Sequence, residues 1–506
     1  MMHSVALPAG GPERRLAVID LGSNTFRLVV FRYRPGGAFR LVDEIRDPVR
    51  ISRGIGPDGI RADAIERAAH ATRLYAAFCA AERIDEVAAV TTSAARDAPN
   101  RDAVQAALSA DGRLPVRVLC EREEARYGYL RDGWLLDLGG GSIQIVTVND
   151  RHMRASISHP LGAVRMTERF LGDRLATRGR IKELRRHVQA TLAQVPWIDE
   201  LDGRAIGVGG TVRTLARMAQ RAVGYPVDEL HGYRLRRDAL RELIEQMAAL
   251  PADRRNTIAG LRADRADVTL AGAVVIATVM DLAATDRIEI CAQGLREGIL
   301  YERLLADLDH PLIDDVRRHS VLNLMDAHRS DAAHCAQVAE LALSLYDQLA
   351  ALGLQVADRQ ERELLWAAAM LHDLGVAIDY HDHHKHGYYL VINSGLPGYD
   401  HEQLALIALL VRGHRKAPAS PAPLGSLLGE DGRTRLVRLA ACLRIAEQLA
   451  RSRTVVGVRL TDLGDRIDAR VQDRGDPAVA LWSATRESPA LERAFSRRLT
   501  TRATAG

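Results

Sequence analysis

The chain has 506 residues, enough for two or three domains, and a hydrophobic content of 47%, enough for sizeable cores. Its formal net charge of +4 does not require a nucleic-acid partner, and no run of about 18 uninterrupted apolar residues predicts a membrane span. The first fifteen residues lack the apolar core of a signal peptide, and the five scattered cysteines form no Cys-x-x-Cys pair, so we expect a reducing, cytoplasmic location.

The first part of the chain, residues 1–135, alternates strand and helix patterns and predicts a mostly parallel α/β sheet. Apolar runs over 16–19 and 28–31 predict two strands that are joined by the turn Asp20-Leu21-Gly22-Ser23-Asn24. The elements predicted after this hairpin are a strand over 39–45, a helix over 62–81, a strand over 86–90, a helix from 101, a strand over 116–119 and a helix from 121.

The pattern around Asp20 occurs a second time, 117 residues later. Asp137-Leu138-Gly139-Gly140-Gly141-Ser142 lies between apolar runs over 134–136 and 143–148, and the two copies align without a gap. The repeat predicts a duplicated α/β fold whose halves, residues 1–135 and 136–304, enclose a cleft. In the second half we expect a basic helix over 178–195, strands over 205–208 and 288–290, and a buried helix over 268–284.

The two turns have the composition of a phosphate clamp. A single Asp-x-Gly turn usually marks only a hairpin, but two facing copies can hold phosphate, because glycine lets backbone N–H groups approach an anion and hydroxyl groups add donors. Asp20 and Asp137, at the strand ends, can then hold a divalent cation through water. The chain has no Gly-x-x-x-x-Gly-Lys-Ser/Thr run, which excludes a P-loop.

Two further positions are suited to catalysis. Glu123-Glu124 is a candidate general base, because two adjacent carboxylates near a polyanion should raise each other's pKa; the alternative is that both favour the dipole of a first helical turn. Arg96 follows Thr92-Ser93 at a strand end and can hold two phosphate oxygens, unless it is an ordinary surface arginine. Arg27 and Gln144 occupy equivalent positions in the two repeats.

Gly209-Gly210-Thr211 follows the strand predicted over 205–208 and is a candidate third anion-binding turn. The alternative is that it is only a tight connection between a strand and a helix.

Acidic residues and Pro311 mark residues 305–318 as a linker, and residues 319–506 form a nearly all-helical C-terminal domain, with segments at 334–355, 361–374, 401–412 and 434–451. His334 and His372-Asp373 resemble the spacing of a metal-dependent His-Asp phosphohydrolase domain and predict a second metal site. Glu447 would replace the usual last aspartate ligand, and the alternative is a metal site that has decayed.

Many ordered motifs resemble the exopolyphosphatase / guanosine pentaphosphate phosphohydrolase family. They cover residues 14–304 and comprise 18–26, 92–98, 123–126, 137–142, 161–165, 209–213, 265–267 and 294–298. The segments 383–390 and 414–416 resemble the C-terminal His-Asp-type domain of the family's long members.

The resemblance implies an actin-like, sugar-kinase-like fold of two subdomains around a cleft and Mg²⁺-dependent hydrolysis of a terminal phosphoanhydride. Glu124 would activate water, Asp20 and Asp137 would hold Mg²⁺ through water, and Arg96 would bind the terminal phosphoryl group. The implied phosphate-binding residues are Ser23, Asn24, Thr25, Arg27, Gly139, Gly140, Gly141, Ser142, Gly209, Gly210 and Thr211.

The helical domain would guide the rest of a long polyanion, and long family members are typically homodimers. The residues predicted for this polyanion track are His384, Lys385, His386, His414, Arg415 and Lys416.

One position departs from the family. Its second loop usually continues Ser-Thr-Glu, whereas this chain has Ser142-Ile143-Gln144, and glutamine can neither act as a base nor bind metal well. The leading hypothesis is a processive exopolyphosphatase, and the alternatives are a guanosine pentaphosphate phosphohydrolase or a non-catalytic polyphosphate- or nucleotide-binding regulator. A sugar or acetate kinase of the same fold is disfavoured, because neither the Glu123-Glu124 pair nor the helical extension suits one.

Overall fold

The computed structural model describes residues 11–109, 113–127, 132–172, 175–201, 203–308, 312–415 and 421–504. The chain divides into two compact units, Ala9–Leu312 and Ile313–Gly506. No helix in the described ranges is both long enough and apolar enough to cross a membrane.

The first half of the N-terminal unit contains a five-stranded sheet in the order β3-β2-β1-β4-β5. β1 pairs antiparallel with β2 and parallel with β4, so the sheet is mixed rather than mostly parallel as predicted, because the turn after Asp20 is a hairpin. Its strands are β1 (Arg14–Leu21), β2 (Phe26–Tyr33), β3 (Phe39–Asp47), β4 (Glu86–Thr91) and β5 (Val116–Val118). Its helices are α1 (Ala62–Ala81), α2 (Ser93–Arg96), α3 (Arg101–Leu108) and α4 (Glu121–Arg126).

The second half repeats this arrangement in a six-stranded sheet. Its strands are β6 (Gly133–Leu138), β7 (Ile143–Asn149), β8 (His152–His159), β9 (Ala205–Val208), β10 (Arg234–Arg236) and β11 (Arg287–Ile290), in the order β10-β11-β9-β6-β7-β8. The run β8-β7-β6-β9 has the same pairing directions as β3-β2-β1-β4, which confirms the duplication read from the sequence. Its helices are α5 (Ala163–Met166), α6 (Arg178–Leu192), α7 (Gly209–Ala222), α8 (Arg237–Ala248), α9 (Thr269–Leu282) and α10 (Leu295–Leu304).

Helix α9 is the central helix of the second half. Twelve of its residues, Thr269 to Met280, are buried, which confirms the buried helix predicted over 268–284. A helix that is apolar on all sides is stable only when neighbours cover every face. Each fully buried Val or Ile side chain on it contributes roughly 1.5–3 kcal/mol of hydrophobic free energy.

The C-terminal unit is mainly helical. Its helices are α11 (Val316–Ala327), α12 (Ala332–Ala351), α13 (Arg359–Leu371), α14 (His383–Ser394), α15 (His401–Gly413), α16 (Gly432–Leu449), α17 (Ala478–Thr485) and α18 (Ser488–Phe495). The sequence predicted a linker over 305–318. In the structure α10 ends at Leu304, just before this stretch, and α11 begins at Val316, inside it.

The C-terminal unit also contains a sheet that the prediction of an all-helical domain missed. β12 (Val455–Asp462) pairs antiparallel with β13 (Arg466–Asp473), which pairs parallel with β14 (Arg498–Ala503). Val455, Val458 and Leu460 of β12 are buried. The pairing with β13 holds residues 498–503 in the sheet. The physical reason for the miss is that apolar residues alternate with charged ones along these strands, which therefore carry little total hydrophobicity.

Candidate active site

The two hairpins have structurally equivalent positions at the same register of the two sheets. In the first hairpin Asp20 pairs with Arg27, and in the second Asp137 pairs with Gln144. The turns that connect the strands, residues 22–25 and 139–142, therefore project from equivalent sheet edges. All four of these paired side chains line the same cavity.

The two turns lie close together. The hydroxyl oxygens of Ser23 and Ser93 are 3.3 Å apart, and a Cβ atom at Gly141 would lie 3.1 Å from Ser93 Oγ and 3.2 Å from Ser23 Oγ. Glycine at position 141 therefore lets the second turn approach the first. The two turns therefore face each other, as the repeated motif predicted.

Helix α5 fixes the backbone of the second turn. Ala163 N donates to Gly139 O at 3.0 Å, Val164 N donates to Gly140 O at 2.9 Å, and Gly162 N donates to Gly141 O at 3.2 Å. Because every glycine carbonyl of the turn is held in this way, its backbone is ordered before any anion binds.

A cavity of about 160 Å³ lies between the two sheets. Nearly every predicted phosphate-binding residue lines it, Gly141 being the exception. The lining residues from the predicted set are Ser23, Asn24, Thr25, Arg27, Gly139, Gly140, Ser142, Gly209, Gly210 and Thr211, together with Asp20, Asp137, Glu124 and Gln144. The third turn thus faces the same space as the other two, at the N-terminal end of α7, where backbone N–H groups favour an anion.

The structure separates the roles of the two adjacent glutamates. Glu123 accepts a hydrogen bond from Cys120 N at 2.9 Å, which caps α4 and lowers the pKa of its carboxyl group. Glu124 instead lines the cavity, and its side chain is only 16% exposed. Burial raises its pKa to about 7, and the charges of Asp137 and Asp20 add to the increase against the opposing effect of Arg96. The expected mutual effect of the two glutamates is therefore wrong, because Glu123 is engaged with backbone.

Arg96 contacts the candidate base and does not itself line the cavity. Its Nη1 donates to Glu124 Oε2 and to Leu119 O, each at 3.0 Å. Its Nη2 is buried and has no hydrogen-bond partner. Glu121 Oε1 lies 4.0 Å from this nitrogen. Arg96 can therefore orient Glu124, while its contact with a terminal phosphoryl group stays a prediction.

Two partly buried aspartates, Asp20 and Asp137, line the same cavity as Glu124. Burial raises the pKa of Asp20 against the opposing charges of Arg296 and Arg27, and burial together with Asp20 raises the pKa of Asp137 to about 6 despite Arg213. Neighbouring buried carboxylates that repel one another are stabilised by a cation between them. The oxygen-only donors of Asp20 and Asp137 therefore fit a hard divalent ion such as Mg²⁺.

Sequence reasoning missed a cluster of arginines. Arg213, Arg265 and Arg296 line the cavity beside Arg27, although none of the three was predicted as a site residue. Burial and the neighbouring guanidinium groups lower the pKa of Arg27 to about 9, and burial with Arg46 lowers that of Arg265 to about 10. All three missed residues lie within the segments 209–213, 265–267 and 294–298 that carry the family resemblance, and this was the available signal.

Gln144 replaces the expected glutamate at a buried position. Its side chain is 5% exposed, and its Nε2 faces Glu121 O at the start of α4, at 3.4 Å. A neutral amide at this point adds no further negative charge beside Asp137. It can also help to place the helix that carries Glu124.

The C-terminal unit brings His334, His372 and Asp373 together, as the sequence predicted. One atom from each of these side chains lies within 4.8 Å of the others. Glu447 Oε2 is 3.3 Å from His334 Nε2 and 3.2 Å from His372 Nε2, so it occupies the position expected of a fourth ligand.

The predicted polyanion track divides into buried and exposed residues. His384 is 5% exposed and His414 is fully buried, so these two cannot contact a polyphosphate at the surface and have to be removed from the prediction. Lys385 is exposed and binds Asp382 at 2.8 Å, while Arg415 lies over the Tyr380 ring. His386 is partly exposed, and Lys416 lies outside the described residues.

Comparisons with known proteins agree with this geometry. The model of the Ppx/GppA phosphatase family matches residues 29–307, and that of Ppx/GppA phosphatase domain III matches residues 316–463. A guanosine-5'-triphosphate,3'-diphosphate pyrophosphatase of Aeromonas hydrophila is 26% identical over 450 residues, which are 87% of this chain and 88% of that protein.

Solved structures resemble somewhat more than half of the chain. An exopolyphosphatase from Cytophaga hutchinsonii has a TM-score of 0.53 at 24% identity, covering 57% of this chain and 98% of its own. The Aquifex aeolicus member of the Ppx/GppA family has a TM-score of 0.50 at 24% identity, covering 59% of this chain and all of its own. The duplicated sheets and these neighbours show the predicted actin-like, two-subdomain fold, followed by a mainly helical domain.

Proposed function

The chain belongs to the Ppx/GppA phosphatase family of phosphoanhydride hydrolases, and from that premise we propose that it is an exopolyphosphatase. The proposed reaction is processive removal of orthophosphate from the ends of inorganic polyphosphate, with Mg²⁺ as cofactor. The proposed setting is the cytoplasm, and the proposed assembly is a homodimer.

The arginine cluster is the observation that carries this proposal. Arg27, Arg213, Arg265 and Arg296 surround one small cavity, together with three glycine-containing turns. Burial and the neighbouring guanidinium groups lower the pKa of Arg27 and that of Arg213, and a cavity that concentrates positive charge in this way favours anionic partners. Consecutive phosphate groups of a linear polyanion supply such partners, since each guanidinium can bind two phosphate oxygens.

The chain's own residues support hydrolysis by water. Glu124, with its pKa near 7, is suited to take a proton from water at neutral pH. Arg96 holds the Glu124 carboxylate in place through Nη1. The turns orient the substrate, which phosphoryl transfer requires more than covalent help. Mg²⁺ bound through Asp20 and Asp137 would neutralise charge on the phosphate oxygens.

Guanosine pentaphosphate is the second candidate substrate. The similarity to a pyrophosphatase that is named for this nucleotide extends over 87% of the chain, including the C-terminal unit. The same phosphate-binding residues would serve a nucleotide with a terminal triphosphate. A regulator that binds without turnover is the third candidate, favoured by Gln144 alone.

The deciding experiment measures phosphate release with Mg²⁺ from long-chain polyphosphate and from guanosine pentaphosphate. We expect faster release from polyphosphate, and we expect Glu124→Ala to lower turnover by about 10² or more while binding persists. The matched control is Arg122→Ala, at an exposed position on the same helix.

Three other outcomes would change the assignment. Faster release from the nucleotide would make guanosine pentaphosphate the substrate. Binding of polyphosphate without release from either compound would favour the regulator. Turnover by Glu124→Ala at the rate of wild type would remove Glu124 as the base.

A further inference from the structure

The cluster of potential metal ligands in the C-terminal unit is larger than the sequence predicted. His334 lies in the first turn of α12, His372 and Asp373 follow α13, and Glu447 lies near the end of α16. His383 at the start of α14 and His414 just after α15 join them, forming a second group with Asp373. Six potential ligands thus converge from five helices.

Three of the histidines have the same local hydrogen bond, which fixes their orientation. The Nδ1 atoms of His372, His383 and His414 lie 2.7, 2.8 and 2.7 Å from the carbonyl oxygens of the residues three positions earlier. A carbonyl oxygen can only accept, so each Nδ1 carries the hydrogen. In the neutral ring this leaves the lone pair on Nε2, as in metal-binding histidines whose other nitrogen donates to backbone.

These Nε2 atoms face one another or face carboxylates. His383 Nε2 and His414 Nε2 are 3.1 Å apart, although both are acceptors in the neutral tautomer. His372 is fully buried, and both its Nε2 and Glu447 Oε2 lack a hydrogen-bond partner while lying 3.2 Å apart. Acceptors that meet in the interior repel unless a cation or a proton lies between them.

Asp373 connects the two groups of ligands. Its Oδ2 lies 3.8 Å from His334 Nε2 and 3.4 Å from His372 Nε2, while its Oδ1 lies 3.2 Å from His383 Nε2 and 3.9 Å from His414 Nε2. Ligands at about 2.1 Å from a common ion are separated by roughly 3.0–3.4 Å, so these separations are close to the edges of coordination polyhedra. The Asp373 side chain is 28% exposed, which leaves room for water ligands.

We propose that the C-terminal unit holds a dinuclear centre of divalent transition-metal ions bridged by Asp373. The first ion is bound by His334, His372 and Glu447, and the second by His383 and His414. The imidazole-rich ligand set favours ions such as Zn²⁺, Fe²⁺ or Mn²⁺ over Mg²⁺. The proposal is independent of the function proposed for the N-terminal unit. Two ions that share a carboxylate are an arrangement that activates water.

The test counts metal ions in the full-length protein. The protein is stripped with a chelator, dialysed against Zn²⁺ in excess Mg²⁺, and analysed by inductively coupled plasma mass spectrometry. We expect two equivalents of Zn²⁺ in wild type and one in His334→Gln and in His383→Gln. The matched control is His381→Gln, because that side chain is 95% exposed beside His383 and should keep both ions.

Several results would overturn the proposal. Less than one equivalent of Zn²⁺ in wild type would show that protons, and not metal ions, lie between the facing acceptor atoms. One equivalent that both variants lose would make the centre mononuclear. Two equivalents that neither variant loses would place the ions elsewhere. If a variant fails to fold by circular dichroism, the stoichiometry of wild type and the rise of its unfolding temperature with Zn²⁺ still decide between metal and proton.

Discussion

Glu124 depends on its surroundings for its chemistry. The neighbouring Glu123 is used to cap a helix, whereas burial and two aspartates bring Glu124 into the range where it can accept a proton near neutral pH. Arg96 opposes this shift through its hydrogen bond, so the two residues together set the working pH of the site.

We therefore predict how activity changes with pH. A general base works only when ionised, so kcat/KM should rise as pH increases through about 7. Arg96→Gln removes the cation that favours the carboxylate, and should move this acidic limb to higher pH by about one unit or more. The measurement is the pH profile of phosphate release at fixed Mg²⁺. An acidic limb that stays in place in the variant would show that Glu124 is not the titrating group.

Gln144 gives a second prediction at this scale. Gln144→Glu adds a carboxylate opposite Asp137 in the β6–β7 ladder, and so should lower the Mg²⁺ concentration needed for half-maximal activity several-fold. The check is a Mg²⁺ titration of phosphate release, with Asn149→Asp, at the exposed end of the same strand, as the control. An unchanged Mg²⁺ requirement would place position 144 outside the metal site.

At the scale of elements, the short helix α5 determines the shape of the second phosphate turn. The amides of its first two residues and of Gly162, which precedes it, hold the three glycine carbonyls, and a Cβ atom at Gly162 would overlap the backbone of Gly140 and Gly141. The glycine in the segment 161–165 is therefore required by a close backbone approach, and not by a positive φ angle.

Replacement of this glycine should affect the site more than the fold. Gly162→Ala must displace the turn, and we expect kcat/KM to fall by at least tenfold while the circular dichroism spectrum is kept. Gly179→Ala is the control, because its added Cβ meets nothing closer than 3.8 Å. Activity of Gly162→Ala near that of the control would show that the turn tolerates displacement.

At the scale of the whole molecule, two units of different chemistry share one chain. The N-terminal unit has the arginine-lined cavity, and the C-terminal unit has the cluster of histidines and an exposed Lys385. The chain has only three lysines, Lys182, Lys385 and Lys416, and two of them lie in the segments predicted to guide a polyanion.

The predicted track can be tested with these lysines. The double variant Lys385→Gln/Lys416→Gln should raise KM for long polyphosphate more than for tripolyphosphate, and should weaken the salt dependence of binding, because fewer cations contact the polyanion. Lys182→Gln is the control, since this exposed lysine lies on α6 of the N-terminal unit. Equal effects on long and short chains would contradict a track.

The sequence by itself determined the features that depend on neighbouring residues. The repeat at a spacing of 117 residues predicted the duplicated fold, and the glycine-containing turns predicted which loops line its cavity. The predicted bounds of elements such as α1 and β9 agree with the structure, because hydrophobic periodicity depends only on consecutive residues.

Only the tertiary structure decided which distant side chains meet. Arg27 and Arg296 are 269 positions apart yet line one cavity, and the lone pairs of His383 and His414 meet across two helices. Tertiary packing likewise separated Glu124 from Glu123 and buried His414. The physical reason is that these properties arise from burial and long-range contact, and no pattern of neighbouring residues specifies either.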